Sequence, residues 1–183
     1  MDAIAMSDLA PFDLGPMPQG REMTTVDERL VRAPLLRIFA LAAAVEGWPA
    51  LLKHYRFVRF VERHRDGGGI VDMSANRPFG IIQWPTWWRS KMQVNAPGTS
   101  AVPSMRFTHV EGVTSGMEVE WSFTDAPGGT HVRILHVWNG PRVPVVGSTA
   151  ATLVIGPVFI HGIASRTLEG LATHAERLGL ARA

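Results

Sequence analysis

Cysteine is absent from this 183-residue chain. That excludes disulfides, a thiol nucleophile and cysteine-ligated zinc or iron–sulfur centres. Lysine is scarce, with only Lys53 and Lys91, so arginine carries nearly all the positive charge. The arginines are scattered, the net charge is only +2, and no basic stripe points to nucleic acid. A secretory leader pattern is missing as well. Asp2, Asp8 and Asp13 precede the first basic residue, Arg21, and no long apolar core follows, so a cytoplasmic location is expected. Residues 143–165 are uncharged, which is long enough to consider a membrane span. Pro144, Gly147, Gly156, Pro157, His161 and Gly162 interrupt that run. It reads instead as a loop leading into a buried helix, with no stable membrane insertion.

What is present describes one globular domain. Apolar residues make up 46% of the chain and charged residues 19%. Residues 1–22 are rich in Met, Pro and Asp and show no period, so they form an N-terminal extension to a domain at 23–183. A first strand is expected at 24–31, and Pro34 opens a helical stretch to residue 44. Gly47-Trp48-Pro49 breaks that stretch, and 50–53 makes one more short helical turn. Strands follow at 55–63, 70–75, 82–94 (bent or interrupted at Pro85), 104–111, 116–124 and 130–138. Asp66-Gly67-Gly68-Gly69 makes a hairpin turn. Phe159, Ile160, Ile163, Ala164, Leu168, Leu171 and Ala175 form the apolar stripe of a closing helix that ends near Gly179. Consecutive strands with short turns imply an antiparallel meander that buries one face, and the closing helix is left to cover it. The expected architecture is α+β, a curved seven-stranded antiparallel sheet wrapped around a long C-terminal helix, with two short helices after the first strand.

Alternation assigns the inward face. Met117, Val119, Trp121 and Phe123 share a face in the sixth strand, opposite Glu118 and Glu120. Val132, Ile134, His136 and Trp138 do so in the seventh, and Met105, Phe107 and His109 in the fifth. Trp84, Trp88, Ser90, Met92 and Val94 do so in the fourth, opposite Trp87, Arg89 and Lys91. Large aromatics with a few polar groups suit an apolar ligand pocket better than a solid Val/Ile/Leu core. The expected lining is Trp84, Trp88, Met92, Met105, Phe107, Trp121, Phe123, Trp138, Phe159 and Ile163.

The order of these elements resembles the START/Bet v1-like (SRPBCC) superfamily and its helix-grip fold, and most of all the bacterial polyketide cyclase/dehydrase group. The residues that carry the likeness are Glu46-Gly47-Trp48-Pro49, Trp88, Glu120-Trp121-Ser122-Phe123, and Pro127-Gly128-Gly129-Thr130-His131-Val132-Arg133-Ile134 before the closing helix. The resemblance implies a hydrophobic small molecule held between helix and sheet. It further implies either aromatase/cyclase chemistry on a poly-β-ketone chain or carriage of an isoprenoid quinone or lipid without chemistry. One departure is notable. Aromatase/cyclases often place an arginine on the inward face of the fourth strand, where this chain has Met92, with Lys91 facing the other way. In the closing helix His161 and Ile163 stand near a position that is often polar.

His109, His136 and His161 are the acid–base candidates, because imidazole titrates near neutral pH. Cyclisation needs a proton removed beside a carbonyl and one delivered to the developing alkoxide, and Tyr55 or Arg106 could bind that oxyanion. No HExxH spacing supports zinc, Gly67-Gly68-Gly69 is followed by no Lys-Ser/Thr, and there is no nucleophile elbow, so no cofactor is expected. A homodimer is left open. A cavity holding at least two of the three histidines favours chemistry. One lined only by Trp, Phe, Met and Leu favours carriage. A solid core leaves residues 1–22 or 143–165 as a contact surface.

Overall fold

The computed structural model describes residues 9–79, 82–140 and 156–180, with backbone alone at 77–79, 82–83, 156–161 and 180. The chain runs β1 (Met23–Val31), α1 (Leu35–Ala43), a 3-10 turn (Val45–Gly47), α2 (Trp48–Leu51), β2 (Tyr55–Arg63) and β3 (Gly69–Phe79). It continues through β4 (Ile82–Asn95), β5 (Ser104–Gly112), β6 (Glu118–Ala126), β7 (Gly129–Trp138) and α3 (Gly156–Leu180). The strands form a single antiparallel sheet in the order β1-β7-β6-β5-β4-β3-β2. This is the helix-grip α+β fold.

The short helices differ from expectation. Gly47-Trp48-Pro49 starts α2 instead of breaking the path, because Pro49 falls in a first turn where no intrahelical donor is needed. β3 runs four residues past its expected end, and β4 is continuous through Pro85. Pro85 stands opposite Asn76, whose amide points away from β4 and donates to the His54 carbonyl at 2.7 Å. The proline's missing N–H therefore leaves no gap in the ladder.

α3 is tied along β1. Arg29 pairs with Glu169, and the Arg32 amide donates to Glu176 Oε1 at 3.0 Å. Ala164, Leu168, Leu171, Ala172 and Ala175 are buried toward the sheet. They meet Val31, Ile38, Ala42, Phe123, Val132 and Ile134 in one continuous core. Each large apolar side chain so enclosed contributes about 1.5–3 kcal/mol.

Residues 9–22 cross the outer face of the sheet. The Phe12 ring lies 4.4 Å from the His64 ring, the Leu14 amide donates to Gln93 Oε1 at 3.1 Å, and the Glu22 amide donates to Asn139 Oδ1 at 3.3 Å. Arg106 points to that face, where Nη1 donates to the Gly15 carbonyl at 2.7 Å and Nη2 to Glu118 Oε2 at 3.3 Å. Arg106 is therefore removed as an oxyanion partner in the cavity. Its buried charge serves to seat the N-terminal segment.

Candidate functional site

A cavity of about 60 Å³ lies between the concave face of the sheet and α3. The lining combines large aromatics, methionines and a few polar groups. Trp48, Tyr55, Trp88 and Trp121 form a linked aromatic wall. Trp48 meets Tyr55 at 5.2 Å and Trp121 at 5.8 Å between ring centroids, and Tyr55 meets Trp88 at 6.4 Å. Trp48 is fixed by its indole N–H, which donates to the Leu41 carbonyl at 3.3 Å.

His109 continues the inward face of β5 from Met105 and Phe107, and a bulge follows it. Arg89 pairs with Glu111 and the next residue, Ser90, pairs with His109, so Val110 is the extra residue in β5. In a regular strand His109 and Glu111 would share a face. The bulge separates them, leaving His109 inward while Glu111 is turned out and accepts from Arg89 at 3.2 Å. The imidazole stacks on Trp88 at 5.9 Å with 21° between planes, and Nδ1 lies 2.7 Å from the hydroxyl of the fully buried Thr114. Its orientation is therefore set from two sides. The turn carrying Thr114 is itself held by Trp138, whose indole N–H donates to the Ser115 carbonyl at 3.0 Å.

His136 reaches the same cavity from β7, in register with Val119 of β6. β6 separates β5 from β7, and His109 stands opposite Met117 where His136 stands opposite Val119, so the two histidine backbones lie two strand spacings and two residues apart, roughly 12 Å. At another wall are the Tyr55 and Thr167 hydroxyls, with oxygens 3.4 Å apart. Thr167 also donates to the Ile163 carbonyl at 2.8 Å and lies 3.1 Å from His54 Nε2. Burial, and then the nearby Arg166 charge, lower the His54 pKa from 6.5 to about 4. His54 is thus a neutral imidazole at pH 7.

Six of the expected residues meet here: Trp88, Phe107, Trp121, Ile163, His109 and His136. Met92 and Met105 face inward but are fully enclosed by core instead of lining the space. Phe123 is packed against Phe39 at 5.1 Å, and Trp138 is buried behind the 113–116 turn. Trp84 is 63% exposed and does not line this cavity, because β4 carries it beyond the reach of the cavity walls. Phe159 and His161 belong to the first turns of α3, and their side chains lie outside the described residues, as do residues 143–155. The expected lining lacked Trp48, Tyr55, Met73, Met117, Val119, Ala164 and Thr167. Met117 and Val119 were already legible as inward residues, and Thr167 stands beside the apolar stripe of α3. Trp48 carried only the motif signal, because nothing local tells that α2 will roll under the sheet.

Among the described residues no three His, Asp or Glu side chains are grouped to hold a metal ion, and no helix is long and apolar enough to cross a membrane. A second, larger hollow of about 490 Å³ opens between the start of α1 and residues 97–103, and among the described residues Asp125 is its sole ionisable lining residue.

The comparisons with known proteins bear on this cavity. The family model described as polyketide cyclase/dehydrase and lipid transport matches residues 31–156, more than half of the chain. The chain belongs to this family. The family places a hydrophobic ligand-binding domain here, and the matched stretch carries both cavity histidines, Trp88 and Trp121. Solved structures agree on the fold. A protein of Thermus thermophilus is 22% identical with a TM-score of 0.69, covering 84% of this chain and 97% of that one. The Zhui aromatase/cyclase of Streptomyces sp. R1128 is 15% identical with a TM-score of 0.66, covering 85% and 94%. A START superfamily protein of Mycobacterium smegmatis is 14% identical with a TM-score of 0.63, covering 85% and 98%. A comparison with curated proteins returns no match.

Proposed function

We propose that this family member performs acid–base chemistry on a carbonyl-bearing hydrophobic ligand, a cyclisation or dehydration of a polyketide-like chain. The observation that carries the reading is the meeting of His109 and His136 in one aromatic cavity. Carriage alone requires neither imidazole. In the proposed step one imidazole takes a proton from a carbon between two carbonyls. That carbon attacks a second carbonyl, and the resulting alkoxide is protonated by the other imidazole or by the Tyr55 hydroxyl. Loss of water from the β-hydroxy ketone completes a dehydration. His109 suits the first role because Thr114 and Trp88 fix its ring. His161 is the third candidate by its place at the start of α3.

The volume sets a condition. About 60 Å³ is well below the ~150 Å³ that accommodates benzene in an apolar cavity, and further below the roughly 300–1,000 Å³ of ligand pockets. Met73 and Met117 are the flexible lining residues most able to yield as a ligand enters.

The test is turnover of a poly-β-ketone thioester mimic, followed by the absorbance of the aromatic product. His109→Ala and His136→Ala each lower the rate by roughly 10²–10⁴-fold, with the ligand still bound. Unchanged turnover in both variants refutes the assignment. A second reading, carriage of a lipid or isoprenoid quinone, draws support from the largely apolar lining. It predicts a co-purified prenyl or acyl species in native mass spectrometry and no turnover.

A further inference from the structure

β3 and β4 outrun the rest of the sheet. β2 stops pairing at Tyr55, opposite Ala75, and β5 stops at Gly112, opposite Trp88. Beyond those points Arg77, Pro78 and Phe79 pair only with Trp84, Gln83 and Ile82. The hairpin therefore leaves the sheet as a two-stranded ribbon with no further described strand on either edge. Trp84 stands on this ribbon, on the same face of β4 as the cavity residue Trp88 and roughly 13 Å beyond it at the rise of a strand. Its indole is 63% exposed, the most exposed aromatic ring among the described residues. An indole, with an apolar body and a polar N–H, suits a boundary between water and an apolar phase.

On the β2 side of the ribbon's foot the exposed charge is positive, while on the β5 side Glu111 is paired with Arg89. Asn76, at that foot, donates to the His54 carbonyl. Lys53 precedes His54 and is exposed, Arg56 is exposed on β2, and Arg166 is exposed on α3 beside Thr167, which His54 touches. The stretches that contain these residues, 47–61, 73–110 and 126–168, have no aspartate or glutamate.

We propose that the β3–β4 ribbon docks the protein on an anionic lipid bilayer, with Trp84 at headgroup level and Lys53, Arg56 and Arg166 toward the lipid phosphates. A two-stranded tip is too narrow to supply the roughly 800 Å² per side of a stable protein interface. A bilayer surface needs no such area. It accepts an amphipathic indole at the boundary and rewards each neighbouring cation. The contact is peripheral and reversible, and it lies on the strand that also carries the cavity residue Trp88. It stands whether or not the cavity performs chemistry.

The test is sedimentation of the full chain with vesicles of phosphatidylcholine alone and of phosphatidylcholine with phosphatidylglycerol. Binding is expected to the second, and to weaken as salt rises. Trp84→Ala weakens it roughly tenfold, and Trp84→Phe recovers most of the loss. Lys53→Gln and Arg166→Gln each weaken it about fivefold. Failure of the native chain to sediment with the anionic vesicles overturns the proposal, as does equal sedimentation of Trp84→Ala. A dimer that Trp84→Ala dissolves, with no vesicle binding, also overturns it and assigns the ribbon to a second copy. Ligand titrations of the same variants without vesicles separate this result from the fate of the cavity reading.

Discussion

His54 makes the fold acid-sensitive in a window that can be isolated. Its pKa falls from 6.5 to about 4 on folding, chiefly because burial penalises the imidazolium. The unfolded chain therefore binds more protons than the folded one between about pH 4 and pH 6.5, and stability rises with pH across that range. Each tenfold change in proton affinity is about 1.4 kcal/mol, so the full cost of the shift is about 3 kcal/mol at the acid end. The ring is only half-buried, and solvent screening reduces this to about 1–2 kcal/mol. For a chain of this size that is a fall in Tm of roughly 2–8 °C between pH 7 and pH 4. His54→Gln keeps an Nε2 donor near the Thr167 hydroxyl but cannot titrate. Thermal melts of both proteins across this range, monitored by circular dichroism, give the difference directly. The native-minus-variant difference should be flat above about pH 6.5 and grow progressively below it. Parallel curves for the two proteins would refute the reasoning.

Two further outcomes follow from the His109 wall. Thr114→Val leaves His109 Nδ1 without its hydroxyl partner in a buried setting, and costs about 1–3 kcal/mol in denaturant unfolding. If His109 is catalytic, the same variant also moves the pH profile of turnover, which loss of packing alone would not do. Gly112→Ala places a Cβ 2.3 Å from the Trp87 carbonyl oxygen at φ +90°, so β4 and β5 must part just where the bulge begins. The backbone strain alone is about 1–3 kcal/mol. The near-UV circular dichroism of Trp88 stacked on His109 should weaken with it, and an unchanged melting curve would contradict the close approach.

The β6 and β7 faces were legible because alternation is local. A side chain two residues away shares a face whatever the rest of the chain does, so Met117, Val119, Trp121 and Phe123 were assignable from their neighbours alone. The α3 stripe was legible for the same reason at a different period. Alternation fails where β5 gains Val110, since a bulge leaves no fixed composition signal. Simple parity would have carried Glu111 inward with His109. It also does not say how far the helix reaches along a strand. Trp84 and Trp88 have the same parity, yet one is exposed and the other walls the cavity.

Composition and periodicity by themselves determined an α+β chain with one buried sheet face, a covering helix and two inward histidines, because each of these is a property of near neighbours. Only tertiary structure decided that Trp48 closes the cavity from α2, that residues 9–22 bury Arg106 on the opposite face, and that Met92 and Met105 are core while Trp88 and Phe107 line space. These outcomes depend on which distant surfaces meet and where their curvature leaves a gap. No window of sequence records that.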